Sequence, residues 1–387
     1  MTAPEPVREV SPAVERVTRL PALEGLRGVA ALVVLVRHWW ETVFPLAWEG
    51  REWLHGPLAP LLTATGAVHL FFVLSGVVLT GSLERGRGGA AVAQYGVRRV
   101  FRLYPPFIVA VLFSWIASFF YLPSPPGSGV TNLVRMLSGT HFTFDQVFPG
   151  LLILGPVGGV LPVGWSLAIE GVFSALLPAM VALARRFTWT VLLVGPILAL
   201  WIPGSPAHLL HLRGLLLCSF DFGLGVGLWL ERERLARWVG GHQAVALALA
   251  VVGAFLLGWP TAGRWGIHLP PAVVSMALGA AALVVAALHF RPLRRALESA
   301  PILFVGRVSY SLYLLHLAVL ILLAPRIVRH GGTATEMVLL LALVLAVSLL
   351  LSFAAWQWIE RPAIAAGNRV VHLLARRLGV AERLSRR

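Results

Sequence analysis

The chain has 387 residues, 58% of them hydrophobic and only 13% charged, with a mean hydropathy of +0.80. That composition excludes an ordinary soluble fold, and the apolar runs are long enough to cross a bilayer, so a polytopic membrane protein is expected. The net charge of +15 does not indicate nucleic acid as a partner, because the basic residues punctuate apolar runs and form no continuous stripe. All 32 basic residues are arginine, the usage of a GC-rich genome. The single cysteine, Cys218, excludes an intramolecular disulfide. The first twenty residues are polar and lack the apolar core of a cleavable signal.

An all-α integral membrane fold with about ten transmembrane helices is predicted, over residues 28–42, 67–83, 100–122, 165–184, 188–203, 214–230, 244–259, 271–290, 305–324 and 336–358. With the N-terminus inside, the inner segments carry 23 arginines and the outer loops 6. That bias makes both termini cytoplasmic and the location a multi-pass cell membrane. The expected division is a cytoplasmic segment over 1–22, one ten-span domain over 23–362 and a basic cytoplasmic tail over 363–387. Within the tail, 368–387 should form a short amphipathic helix on the inner leaflet. Residues 123–163 break the pattern. Their Pro/Gly-rich stretch FPGLLILGPVGGVLP reads as an outer loop able to dip into the membrane only where it lines protein or a cavity.

The stretch around which the chain is organised is LEGLRGVAALVVLVRH. Arg27 and His38 lie eleven positions apart, which at about 100° and 1.5 Å per residue puts both on one helix face, roughly 16 Å apart along the axis. The bland alternative is a snorkelling Arg and a packed His. Ionisable groups at such depth are expensive, which favours a functional role. In RRVFRLYPP, Arg99 and Arg102 share a face at the mouth of the third span. Two guanidiniums there suit a multiply charged phosphate ligand, although spacing alone favours a membrane anchor. In GWSLAIEGVF, Glu170 lies one to two turns inside the fourth span and must be paired, protonated or functional. VSYSLYLLH places Tyr310, Tyr313 and His316 at helical spacing, where helix-to-helix glue is the competing role. FFVLSG holds Ser75 beside Gly76, with His69 just before it, and Asp221 is a further intramembrane carboxylate. His55, His141, His208, His211, His268 and His330 fall in or near outer loops. His208 and His211 have ligand spacing but no visible third ligand, so no metal site is expected.

Taken together these residues resemble the membrane-bound acyltransferase family type 3, the O-acetylases of surface polysaccharides and secondary-metabolite sugars. LEGLRGVAALVVLVRH, HLFFVLSGVVLT, RRVFRLYP, WSLAIE, SYSLYLLH and IERP follow in the family's order from about Leu20 to Pro362. Two positions depart from the usual pattern: Gly171 stands where a second acid is common, and Leu315 where a Trp is usual. The resemblance implies a stand-alone acyltransferase that moves an acyl group, acetyl being typical, from cytoplasmic acyl-CoA to a hydroxyl. It implies His38 and Glu170 as catalytic residues. Arg27, Arg99 and Arg102 are implied on the donor path, with Ser75, Tyr310, Tyr313 and His316 as further binding residues. No permanently bound cofactor is implied; acyl-CoA is a co-substrate. The acceptor would be a sugar hydroxyl of a cell-envelope glycan, a glycolipid or an antibiotic sugar, and the remaining partner is the lipid bilayer. His38 would serve as general base or carry the acyl group covalently.

The competing reading from another class is a proton-coupled secondary transporter, which buried Arg, His, Glu and Asp would suit; no internal repeat supports it. A third is a lipid-modifying enzyme of different mechanism using the same basic mouth.

Overall fold

The computed structural model describes residues 20–43, 63–84, 90–123, 139–152, 159–188, 194–201, 212–262, 270–328 and 333–385. Among these residues the regular structure is entirely helical. The helices are α1 (Pro21–Val43), α2 (Ala64–Glu84), α3 (Ala91–Ser118), α4 (Gly164–Phe187), α5 (Val194–Trp201), α6 (Leu212–Leu230) and α7 (Arg232–Val239). They continue with α8 (Gln243–Ala262), α9 (Pro270–His289), α10 (Arg291–Leu297), α11 (Ala300–Ile327), α12 (Ala334–Ala355) and α13 (Arg361–Ser385).

By length and composition, seven described helices can cross a membrane, namely α2, α3, α4, α6, α9, α11 and α12, or eight if α7 and α8 form one span broken at 114°. The expected ten includes two more, α1 and the stretch at 188–203, which are not among these seven or eight. Helix α1 carries Glu24, Arg27, Arg37 and Glu41 within 23 residues, which is too many charges for an ordinary lipid-facing span. Of the span expected at 188–203 the described residues hold the helix Val194–Trp201, and the rest lies largely outside them.

Local signals explain several helix starts. Proline at the first helical position of α1 costs no hydrogen bond, and Glu24 in its first turn faces the positive end of the helix dipole. Helix α12 opens on a capping box. The Glu336 amide donates to Thr333 Oγ1 at 3.2 Å, and the Thr333 amide donates to Glu336 Oε2 at 3.0 Å.

Helix α11 is the axis of the bundle: 89% of its apolar span is buried, against 22% for α12. Its neighbour α1 runs parallel to it in register. Gly28 abuts Gly306 and His38 meets His316, both with an offset of 278 residues. The approach is close because both helices lack side chains there. A Cβ on Gly28 would come within 2.6 Å of the Gly306 nitrogen, and one on Gly306 within 2.4 Å of the Glu24 carbonyl oxygen. A second glycine contact joins α2 to α6, where a Cβ on Gly76 would lie 2.5 Å from the Phe222 oxygen.

The segment expected as an outer loop packs against the bundle where it is described. It forms one helical turn, Phe144–Val147, and a 3-10 turn, Pro149–Leu151. The Trp115 indole donates to the Phe142 oxygen at 2.8 Å, and the Tyr104 hydroxyl donates to the Leu151 oxygen at 2.9 Å. Tyr104 lies midway along α3, so the segment dips beside the helix, lining protein as non-helical backbone at depth must. The tail also differs from expectation. It is no short appendage: α13 continues from a π-helical turn, Trp356–Glu360, for 25 residues. It packs on α3, with Gly367 against the Phe101 ring.

Candidate functional site

A cavity of about 480 Å³ opens among α1, α2, α3, α4, α11 and the first turns of α13. Four guanidiniums line it, from Arg27, Arg98, Arg99 and Arg102. Arg99 is held by protein partners. It is ion-paired to Glu170, and its Nε donates to Ser174 Oγ at 2.9 Å. Ser75 Oγ donates to the same Glu170 oxygen at 3.1 Å. One carboxylate thus anchors α2, α3 and α4 around the cavity wall, the pairing that a charge at this depth requires.

The other three guanidiniums differ. Among the described residues Arg27, Arg98 and Arg102 make no hydrogen bond or ion pair to the protein. Two carboxylates, Glu170 and Glu360, lie within electrostatic reach of Arg27, and Arg102 lies near Glu360. Glu360 is itself buried and accepts from Ser311 Oγ at 3.4 Å. It comes from the π-helical turn, a local widening often used to aim a side chain at a site. The wall therefore holds an excess of positive charge in fixed positions, suited to an anion with several oxygens.

The far wall is formed by α11. Tyr310 donates to the Leu103 oxygen at 2.8 Å. Tyr313 sits 2.8 Å from Ser166 Oγ, with its ring edge-on to Phe71. Both hydroxyls also reach the Val163 oxygen, Ser166 Oγ at 3.0 Å and Tyr313 at 3.5 Å, so the three form a small cluster in which either hydroxyl can donate to the other. Behind Tyr313, with ring centres 6.0 Å apart, stands His316. His316 is fully buried, and its Nε2 is 2.9 Å from His38 Nδ1.

The expected site residues thus fall into two groups. Arg27, Ser75, Arg99, Arg102, Glu170, Tyr310 and Tyr313 all line the cavity. His38 and His316 lie beyond its Tyr313 wall and face one another. His316, grouped with the two tyrosines by helical spacing, therefore stands apart from them, because a step of three residues on α11 carries it past the wall.

Sequence reasoning did not single out Arg98, Ser166, Ser174, Glu360 or Asn368. Arg98 sits four residues before Arg102, a one-turn spacing that was available in RRVFR. Glu360 was visible in IERP. The pairing of Ser166 with Tyr313 spans 147 residues and had no local signal. Asp221 pairs with His69 between α2 and α6, away from the cavity. His55, His208, His211, His268 and His330 lie outside the described residues. Among the described residues no group of three or more His, Cys, Asp or Glu could hold a metal ion.

Comparison with known proteins fits these motifs. A family model described as an acyltransferase domain matches residues 20–356. Acyltransferase MdmB of Streptomyces mycarofaciens is 28% identical over 346 residues, covering 79% of this chain and 80% of that protein. Nodulation protein 10 of Rhizobium leguminosarum bv. viciae is 25% identical over 378 residues, covering 88% and 94%. No solved structure matches. The match over most of the length identifies the chain as a multi-pass membrane acyltransferase that belongs to the membrane-bound acyltransferase family type 3.

Proposed function

We propose that the protein transfers an acyl group, acetyl by preference, from acyl-CoA to a hydroxyl of a carbohydrate or glycosylated acceptor. The observation that carries this reading is the set of three guanidiniums, Arg27, Arg98 and Arg102, that line the cavity with no hydrogen-bonded partner among the described residues. CoA presents a pyrophosphate and a further phosphate, and guanidiniums bind such oxygens through paired, charge-assisted hydrogen bonds. The arginine-rich end of the bundle faces the cytoplasm in this reading, in keeping with the distribution of arginine along the chain.

The chemistry follows from the side chains. Glu170 and Ser174 hold Arg99 so that it does not collapse onto a phosphate-binding neighbour. The pantetheine arm extends from the arginines towards Tyr313, and the thioester stops near the histidine pair. His38 takes the proton from the acceptor hydroxyl. The resulting oxygen nucleophile adds to the thioester carbonyl, the C–S bond breaks, and the thiolate of CoA recovers the proton from His38. Neither oxidation nor a metal is needed to balance the step. The carrier reading is not favoured, since the matched family consists of acyltransferases.

The test is turnover of labelled acetyl-CoA by the purified protein in nanodiscs with a panel of sugar acceptors. The expected result is acceptor-dependent release of CoA that is lost in Arg27→Ala and Arg102→Ala at low donor concentration. Binding of acyl-CoA that does not depend on these arginines would overturn the donor assignment.

A further inference from the structure

The contact between His38 and His316 fixes more than distance. Their ring centres are 5.2 Å apart and the planes are inclined by only 13°. That separation is the 2.9 Å nitrogen-to-nitrogen distance plus one ring radius on either side. The two nitrogens therefore lie close to the line joining the ring centres. The imidazoles meet edge to edge, as hydrogen-bonded rings do, and are not stacked face to face.

The direction of that bond is set one step further back. His316 Nδ1 lies 3.1 Å from the Leu312 carbonyl oxygen, one turn earlier on α11. A carbonyl oxygen only accepts, so His316 Nδ1 must carry a proton. Fully buried and neutral, His316 then has a bare lone pair on Nε2. Only a donor can face it at 2.9 Å, which puts the proton of His38 on Nδ1. The remaining ring nitrogen of His38, Nε2, makes no hydrogen bond among the described residues and is left with its lone pair. Reversing the central bond would place two lone pairs against each other at Leu312.

We infer that His316 is a positioning residue. Through the relay Leu312 carbonyl, His316, His38, it locks His38 in the Nδ1-protonated tautomer and presents Nε2 as the basic atom. This deepens the proposed function and rests on its reading of His38 as the base. The arrangement does with a neutral imidazole what a carboxylate does for a catalytic histidine elsewhere. It places no fixed negative charge in the membrane interior, where one would be costly. His316 itself touches no reacting atom in this scheme.

The test uses the full-length protein in nanodiscs with ring-15N-labelled histidine, His38 being identified by its absence from the His38→Gln spectrum. In the wild type, His38 should show a protonated Nδ1 and a bare Nε2, the minority tautomer of free histidine in water. In His316→Leu that signature should be lost, and kcat should fall by about 10²-fold, the upper end for loss of a neutral outer partner of a histidine, while KM for acetyl-CoA stays unchanged. In His316→Gln the side-chain oxygen can stand where Nε2 stood, so both the signature and most of kcat should return. A proton on Nε2 of wild-type His38 overturns the inference. So does full turnover by His316→Leu in a preparation where His38→Gln is inactive, and the reading of His38 as base then survives. Normal turnover by His38→Gln overturns the base itself, and with it any role of the tautomer in catalysis. Should His316→Leu not fold, the wild-type spectrum and the Gln variant decide the matter.

Discussion

Two of the histidines held inside this bundle, His69 and His38, have surroundings that differ in an instructive way. His69 on α2 binds Asp221 on α6 through Nδ1, at 2.9 and 3.0 Å from the two carboxylate oxygens. His38 on α1 binds only another imidazole. By partner alone, His69 looks more like a catalytic histidine. By place it does not, since neither His69 nor Asp221 lines the cavity. Asp221 is fully buried, and the pair lies near the Gly76–Gly225 contact with Phe72 and Phe222 stacked alongside. It ties two parallel helices together, as polar side chains do within membranes. His38 is half-buried and, among the described residues, keeps one nitrogen uncommitted. In the proposed reading, the bond to a carboxylate belongs to the framework and the bond to an imidazole to the chemistry.

Four perturbations break or sharpen that contrast. The largest effect is expected at His38. His38→Gln should lower acyl transfer by about 10²–10⁴-fold, the usual contribution of a general base, with acyl-CoA affinity intact by equilibrium binding of labelled donor. Equal loss of donor binding would move His38 into the cavity group.

Next comes the framework pair. Asp221→Leu strands a buried imidazole and should cost roughly 3–5 kcal/mol of stability, read as a lower unfolding midpoint in detergent. Turnover per folded molecule should remain near wild type. The double change His69→Phe with Asp221→Leu should recover much of the loss, because a matched apolar pair leaves no polar group unsatisfied. A loss of kcat in the folded fraction would bring His69 into the reaction and erase the contrast.

A smaller effect is expected at the mouth. Arg102→Ala should weaken the donor by roughly 1.5–3 kcal/mol for its lost charge-assisted contact, and Arg99→Ala by less, because Glu170 and Ser174 hold Arg99. For Arg102 this should appear in KM alone. For Arg99 it should be accompanied by lower stability, because Glu170 is left unpaired. Unchanged KM in a folded double variant would make both residues anchors.

The smallest effect should come from Tyr313→Phe. Losing its bond to Ser166 should cost about 1 kcal/mol by thermal unfolding, with donor binding little changed. A marked change in acyl-chain preference would instead make the Tyr313 wall a determinant of specificity.

What the sequence disclosed follows from what periodicity can carry. Arg27 and His38 share a face because eleven residues make nearly whole turns, and Arg99 and Arg102 share one because three residues nearly do. The apolar runs gave most of the spans. They gave α1 as the first span but not its place against α11. Its charges argue against a span by composition, and only burial against α11 shows why they are tolerated. Periodicity also could not say what faces what. Glu170 was expected to find a cation, but nothing nearby named Arg99, 71 residues away. His316 was assigned to the tyrosine face because three residues is a helical spacing, whereas its partner lies 278 residues back. Such pairings arise from helix packing, which local sequence does not encode.

The contact of Gly28 with Gly306 sets the alignment of the histidine pair proposed as the reaction centre. His38 and His316 each lie ten residues further along their helices, about 15 Å away at the usual helical rise. The glycines act as a fulcrum and the two helices as equal lever arms. A methyl group inserted at Gly306 would press on the Glu24 carbonyl, and a tilt of a few degrees there becomes an ångström or so at the imidazoles. A hydrogen bond between rings does not survive a lengthening of that size. Mutations far from any substrate, at residues with no side chain to lose, would then silence the enzyme by detuning it, with its arginines, its cavity and its base all still present.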